Sequence, residues 1–260
     1  MKNYLSNAQL KYITNFLPKV KTKPFTKNQS HILNLIIHRL RTGSQWRQLC
    51  NNWEIVYYHF QKWIKLGVFK AMLYIITNEV QLLYFVCDTQ SIKNTNRPEL
   101  KGYDGNKKVA GIKRIIITNQ FGEIVYCKIF PANVNDSKIL SLTLQNLPYQ
   151  HDRIVILADR GFIGTKLQAE CNELNIHFTP MKRKLHQDKS EHRIAKAILK
   201  EEKELVSNFN KQISKKRFVV ERSFAWLQNF RLLNLNYERK SETHEAMVLL
   251  ASVCLKVKRY

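Results

Sequence analysis

The hydrophobic pattern predicts an α/β protein: a mixed sheet flanked by helices, preceded by a small all-α, helix-turn-helix-like unit. Three observations predict it. Up to about residue 80, apolar residues recur at three- and four-residue spacing, the period of an α-helix. Between 82 and 159, short runs of branched and aromatic residues take over, the texture of buried strands. After 165 the helical period returns. Helices, three strands, a helix, a strand and further helices make a layered α/β order. The change of texture sets the expected division: a helical domain over 1–78 and an α/β domain over 79–260.

Each element follows from its residues. The segment PKVKTKPFTK (18–27) has two prolines and four lysines and reads as a basic arm. HILNLIIHRLR (31–41) has the wide apolar face of a packed helix, and Thr42-Gly43-Ser44 breaks it. A second helix starts near Glu54, with Val56, Tyr57, Phe60, Trp63 and Ile64 in helical spacing, and Gly67 ends it. Two helices about a glycine-containing turn suggest a DNA-reading unit, with Tyr58, His59, Gln61 and Lys62 on its polar side. A plain helical bundle is the alternative. A third helix runs over 69–80. Strands are expected at LLYFVCD (82–88), KRIIITN (113–119), EIVYCKIF (123–130) and HDRIVILAD (151–159). Gln120-Phe121-Gly122 joins the second and third as a hairpin. Helices are expected over 165–174, 191–209, 217–230 and 244–257.

Composition narrows the function. The 260 residues carry 43 Lys+Arg against 20 Asp+Glu, a net charge of +23. A hydrophobic fraction of 44% excludes a wholly disordered chain. Apolar runs such as 84–86 and 115–118 fall far short of the ~20 residues that span a bilayer, and no secretory signal opens the sequence. A cytoplasmic, nucleoid-associated protein is expected. Five widely spaced cysteines with no C-x-x-C pattern support neither a disulfide framework nor a structural zinc site. The charge points to a polyanion, nucleic acid before membrane. Residues 1–53 hold nine Lys/Arg and no acid, a bias suited to tracking phosphates.

In so basic a chain, acids at strand ends stand out. Asp88 ends the first expected strand and Asp159 the fourth, at the edge where open α/β sheets form sites. Glu221 lies on a helix whose buried face is Val220, Phe224 and Leu227. Singly, each Asp also fits a turn or helix cap, and Glu221 an ion pair with Arg217 or Arg231. Together, three carboxylates repel unless a cation sits between them. Oxygen donors select Mg²⁺, with Mn²⁺ substituting. Such ions clamp a phosphodiester for metal-assisted phosphoryl transfer.

At this point the motifs become recognisable. DTQSIK (88–93) with GYDGNKKVAGIKR (102–114) resembles the D-[ST]-x-S-x-K and basic hairpin of bacterial insertion-sequence DDE transposases. PANVNDSK (131–138) resembles that family's x-A-N-x-x-D-S turn, and LADRGF (157–162) its A-D-[KRG]-G-[YF] block. FVVERSFAWLQNFRLLNLNYER (218–239) is similar to its V-E-R-x-F-x-W-L block, and LRTGSQWRQL (40–49) to R-x-G-x-x-W-R-x-L of its helical domain. The resemblance runs nearly end to end.

It implies a ribonuclease-H-like core with Asp88, Asp159 and Glu221 as the metal-binding triad. It implies hydrolysis at element ends that frees 3′-hydroxyls, which then join target DNA. The implied partners are terminal inverted repeats, target DNA and a second copy of the chain. Implied DNA contacts are Arg217, Gln228, Arg231, Lys107, Lys108, Lys113, Arg114, Arg41 and Arg47. Gln228 stands where some relatives carry Lys, so it keeps a hydrogen bond without a charge. Asp136 is expected to shape a turn and Trp226 to pack in the core. Two other readings share these residues: a decayed or repurposed transposase that binds DNA without cutting, and a metal-dependent nuclease with no strand transfer.

Overall fold

The computed structural model describes residues 4–18, 29–77, 84–147, 154–174, 176–180 and 218–259. The basic arm beyond Pro18, the helix expected over 191–209, and Arg217 lie outside the described residues.

Among the described residues, four helices come first. α1 (Asn7–Thr14) is opened by Ser6, whose side chain accepts the Gln9 N–H while Gln9 reaches back, a reciprocal cap. α2 (Gln29–Thr42) buries Ile32, Leu33, Leu35, Ile36, Ile37 and Leu40, and Gly43 closes it at φ +75°. A 3₁₀ turn (Trp46–Gln48) leads to α3 (Trp53–Lys65), which Gly67 ends at φ +66°. α4 spans Val68–Thr77. Of the polar side expected to read DNA, Tyr58 and Lys62 are exposed, but His59 is buried against Trp63.

The sheet follows: β1 (Phe85–Lys93), β2 (Gly102–Asp104), β3 (Val109–Asn119) and β4 (Ile124–Pro131). Next come α5 (Asp136–Leu144), β5 (Ile154–Ala158), a 3₁₀ turn (Arg160–Phe162), α6 (Thr165–Glu173) and β6 (Ile176–Pro180). The chain closes with α7 (Phe218–Gln228), a 3₁₀ turn (Arg231–Leu233) and α8 (Ser241–Val257). β1, β3 and β4 form an antiparallel meander, β5 adds parallel to β1, and β6 parallel to β5. The short β2 pairs with the start of β3. The order β4-β3-β1-β5-β6 is the ribonuclease-H-like arrangement.

Two differences from the expected strands matter. β1 runs on to Lys93, so Asp88 lies inside it rather than at its end. β2 and β6 are additional; five-residue and shorter runs such as these give too little periodicity to read.

The sheet separates two apolar layers. Along a strand, side chains alternate between faces. Val86, Ile92, Ile112, Ile116 and Leu157 face a cluster shared with α1–α4, α7 and α8. Phe85, Cys87, Ile115, Ile117, Ile156 and Ala158 face the second, under α5 and α6. α8 is buried nearly all round, as a helix must be when it packs on several sides at once. Among the described residues, no helix is long and apolar enough to cross a membrane, and the cysteines are free thiols.

Candidate active site

β5 pairs with β1 so that Phe85 faces Ile156 and Val86 faces Leu157. Two residues beyond the last of these pairs stand Asp88, inside β1, and Asp159, the residue that follows β5. Alternation along β1 gives Asp88 the face of Val86 and Ile92, and Leu157, two residues before Asp159, lies on the same face. Those three apolar residues pack in one cluster with Val220 and Phe224 of α7. Glu221 directly follows the fully buried Val220 and is itself exposed. Asp88 thus lies on the side of the sheet that α7 covers, with Glu221 on the rim of that helix and Asp159 just past the end of the neighbouring strand.

Asp88 accepts the N–H of Thr89 at 2.7 Å. Cys87 beside it is completely buried on the opposite face. Burial, then the charges of Asp88 and Asp136, push its thiol well above the ordinary range. The carboxylates of Asp88 and Asp159 are oxygen donors of the kind that Mg²⁺ or Mn²⁺ prefers. Among the described residues, no group of three His, Cys, Asp or Glu side chains is gathered so as to hold a metal ion.

The expected DNA contacts divide by exposure. Lys107 and Lys108 are exposed on the turn between β2 and β3, Lys108 at φ +54°. Lys107 Nζ reaches the Thr89 carbonyl at 3.3 Å. Lys113 and Arg114, further along β3, are buried. Lys113 Nζ contacts Asp136 at 3.0 Å and Asp104 at 3.7 Å. Arg114 donates to Gln90 Oε1 and to the Leu233 carbonyl, and burial lowers its pKa to about 10. These two cations are spent inside the fold, because successive β3 side chains both find a covered face.

The end of α7 gathers more. Arg41 Nη1 donates to the Asn229 carbonyl at 3.0 Å, and its guanidinium lies 4.4 Å from the Tyr4 ring centroid and 5.5 Å from that of Phe230. Lys258 Nζ lies over the same Tyr4 ring at 4.2 Å. Gln228 and Arg231 are exposed beside them. Arg47 is exposed on the 3₁₀ turn near Trp53. Trp226 is half-buried between Arg222 and Arg259, at 4.7 and 3.7 Å. Sequence reasoning missed a buried ion pair, Arg39 with Glu238 at 2.8 Å. Arg39 falls on a buried helix face where a charge is unexpected, and that was the available signal.

Comparison with known proteins fits this arrangement. A family model described as "Transposase DDE domain" matches residues 84–255. A second, described as "Putative transposase of IS4/5 family", matches residues 5–73. A curated protein of Burkholderia cepacia, named "Putative transposase for insertion sequence element IS402", is 27% identical over 175 residues, 64% of this chain and 71% of that one. Among solved structures, the piggyBac transposase synaptic complex with hairpin DNA gives a TM-score of 0.36 at 12% identity. The alignment covers 71% of this chain and half of that one. The catalytic domain of the Mos1 mariner transposase gives 0.29 at 12% identity, over 63% of this chain and 88% of that one. With residues 84–255 matched, well over half of its length, the chain belongs to the DDE-domain transposases of insertion sequences.

Proposed function

We propose that this transposase cleaves the ends of its element by Mg²⁺-dependent phosphodiester hydrolysis and joins the freed 3′-hydroxyls to target DNA. The observation that supports the proposal is the parallel pairing of β1 with β5, which brings the segments that carry Asp88 and Asp159 side by side at the edge of the face that α7 covers. Asp88 and Asp159 would hold the ion, and Glu221 would complete the ligand set. The bound ion would activate the attacking oxygen and neutralise charge on the leaving one. Lys107 and Lys108 hold the backbone on the β2–β3 side. Arg41, Arg231 and Gln228 hold it at the end of α7, with Arg47 and Arg217 as further contacts. Each cation neutralises one phosphate and fixes the scissile bond against the carboxylates. Synapsis of two element ends calls for at least two copies of the chain on DNA. The helical segment 1–78 supplies DNA binding and residues 79–260 the chemistry.

The test uses purified protein, Mg²⁺ or Mn²⁺, and a labelled duplex ending in the element's repeat. Nicking at the repeat boundary is expected from the parent. It is expected to fall to background in Asp88→Asn, Asp159→Asn and Glu221→Gln, with DNA binding retained. Substantial activity in two of the three would refute the triad. Binding without cleavage by the parent would leave a DNA-binding protein. Nicking without 3′-hydroxyl joining would leave a nuclease.

A further inference from the structure

Behind Asp88, on the face under α5 and α6, lies a polar network that the proposed chemistry does not use. Its centre is Asp136, the first residue of α5, just after the capping Asn135. Asp136 Oδ1 accepts the Thr89 hydroxyl at 2.9 Å and the Lys113 ammonium at 3.0 Å. Lys113 is held in turn by the Val134 carbonyl at 2.9 Å and by Asp104. Asp104 accepts the Ser91 hydroxyl and the N–H groups of Asn106 and Lys107. The other Asp136 oxygen meets Gly161. A Cβ built on that glycine would come within 3.1 Å of Oδ2.

The two neighbours of this carboxylate are informative. Thr89 is the residue after Asp88, and Gly161 lies two residues after Asp159. The Asp159 carbonyl accepts the Phe162 N–H at 3.1 Å, so Gly161 sits inside the tight turn that Asp159 opens. One carboxylate therefore accepts a hydrogen bond from the segment that carries Asp88 and lies against the turn that Asp159 opens, at the point where pairing between β1 and β5 has stopped. Past Val86 and Leu157 no ladder pair sets their separation. The buried Lys113 ammonium, 3.0 Å away, holds that carboxylate in place.

We propose that Asp136 is a positioning residue: anchored by Lys113, it ties Thr89 to the Gly161 turn and so sets the spacing of Asp88 and Asp159 for their cation. This rests on the assignment of those two aspartates as metal ligands. It also gives Gly161 a reason, since any side chain there pushes on Asp136. Groups that hold ligands in place are worth about tenfold or more in metal affinity.

The experiment titrates the full chain with Mn²⁺ and follows free ion by electron paramagnetic resonance, alongside nicking rate against Mn²⁺ concentration. Asp136→Ala is expected to weaken Mn²⁺ binding about tenfold. It should raise the half-saturating Mn²⁺ for nicking by the same factor and leave the plateau rate largely intact. A purely structural role would lower the melting temperature without moving that concentration. Gly161→Ala disturbs the same contact from the other side and keeps the test alive if Asp136→Ala does not fold. It should shift the Mn²⁺ curve in the same direction, and the double variant should be no worse than Asp136→Ala, because coupled sites do not add. Unshifted Mn²⁺ curves in folded Asp136→Ala and Gly161→Ala, with binding lost in Asp88→Asn, would overturn the positioning role and leave the ligands standing. Undiminished Mn²⁺ binding in Asp88→Asn would overturn the ligand assignment itself.

Discussion

Replacing Glu238 by Gln should cost this protein more than any surface charge change. Glu238 and Arg39 form an ion pair at 2.8 Å, with side chains 10% and 6% exposed. The Arg39 guanidinium also stacks 4.5 Å from the Trp46 ring centroid. Its Nε and Nη1 find no hydrogen-bond partner among the described residues, so Glu238 is its main compensation. Burial lowers the Arg39 pKa, and the Glu238 carboxylate works against that. Glu238→Gln keeps the shape and removes the charge, leaving a buried cation uncompensated. Breaking a buried pair on one side costs about 3–5 kcal/mol. At a urea m-value of about 3 kcal/mol/M, the midpoint should fall by about 1 M or more. The exposed pair Lys240–Glu242, 57% and 50% exposed, is the internal control. Glu242→Gln should cost at most about 1 kcal/mol. Adding Arg39→Met to Glu238→Gln should recover most of the loss, since an apolar side chain of similar volume leaves no charge to satisfy. Urea unfolding by circular dichroism at pH 7 measures all four proteins. A Glu238→Gln loss no larger than that of Glu242→Gln, or no recovery in the double variant, would refute the reasoning.

Two further outcomes follow from charge. His244 is fully buried near Arg114, and burial, then that cation, lowers its pKa to about 3 from the ordinary 6.5. Above pH 6.5 it is neutral folded and unfolded and contributes nothing. Below 6.5 only the unfolded chain takes up the proton, so stability falls as pH drops towards 3. At pH 5 the cost is about 2 kcal/mol. The loss between pH 7 and pH 5, measured by urea midpoints, should shrink by that amount in His244→Gln, and an unchanged slope would refute it. DNA affinity should fall with salt at a log–log slope steeper than about −4, measured by fluorescence anisotropy on a repeat duplex; a flat line would discredit phosphate tracking by the basic residues of 1–53.

Much of the fold was legible because its elements are long or strongly patterned. The helices at 31–41 and 54–66, the glycines that end them, and the antiparallel pair around Gln120-Phe121-Gly122 all came from periodicity and turn chemistry. At that hairpin, Asn119 accepts the N–H groups of Phe121 and Glu123, and Gly122 sits at φ +81°. What was not legible depends on tertiary pairing. β2 is three residues that are strand only because β3 lies beside them. The extension of β1 to Lys93 crosses Gln90 and Ser91, polar residues that break an apolar run and are satisfied by Arg114 and Asp104 across the sheet. Lys113 and Arg114 read as phosphate contacts for a related reason. Sequence shows their charge, and only the apolar layers packed on both faces of β3 show that both are covered.

The scarcity of acids, which drew attention to Asp88 and Asp159, marks a second class as well. Glu238 neutralises Arg39, Glu123 meets Lys256 at 2.7 Å, and Glu245 contacts both Lys70 and Lys128. Asp104 and Asp136 hold Lys113. These acids tie α2 to the segment before α8, α4 and β4 to α8, and β3 to β2 and α5, so a basic chain needs them for its interior whatever it does to DNA. Counting charges cannot separate a carboxylate that neutralises a buried cation from one that awaits a metal. Alternation along β1 can. It puts Asp88 on the α7 face and sends Thr89 and Ser91 to the face where Asp136 and Asp104 meet Lys113. Moving β1 by one residue would exchange the two classes. The substitutions at Asp88 and Asp136 should therefore fail differently: one loses the ion outright, the other loosens its hold.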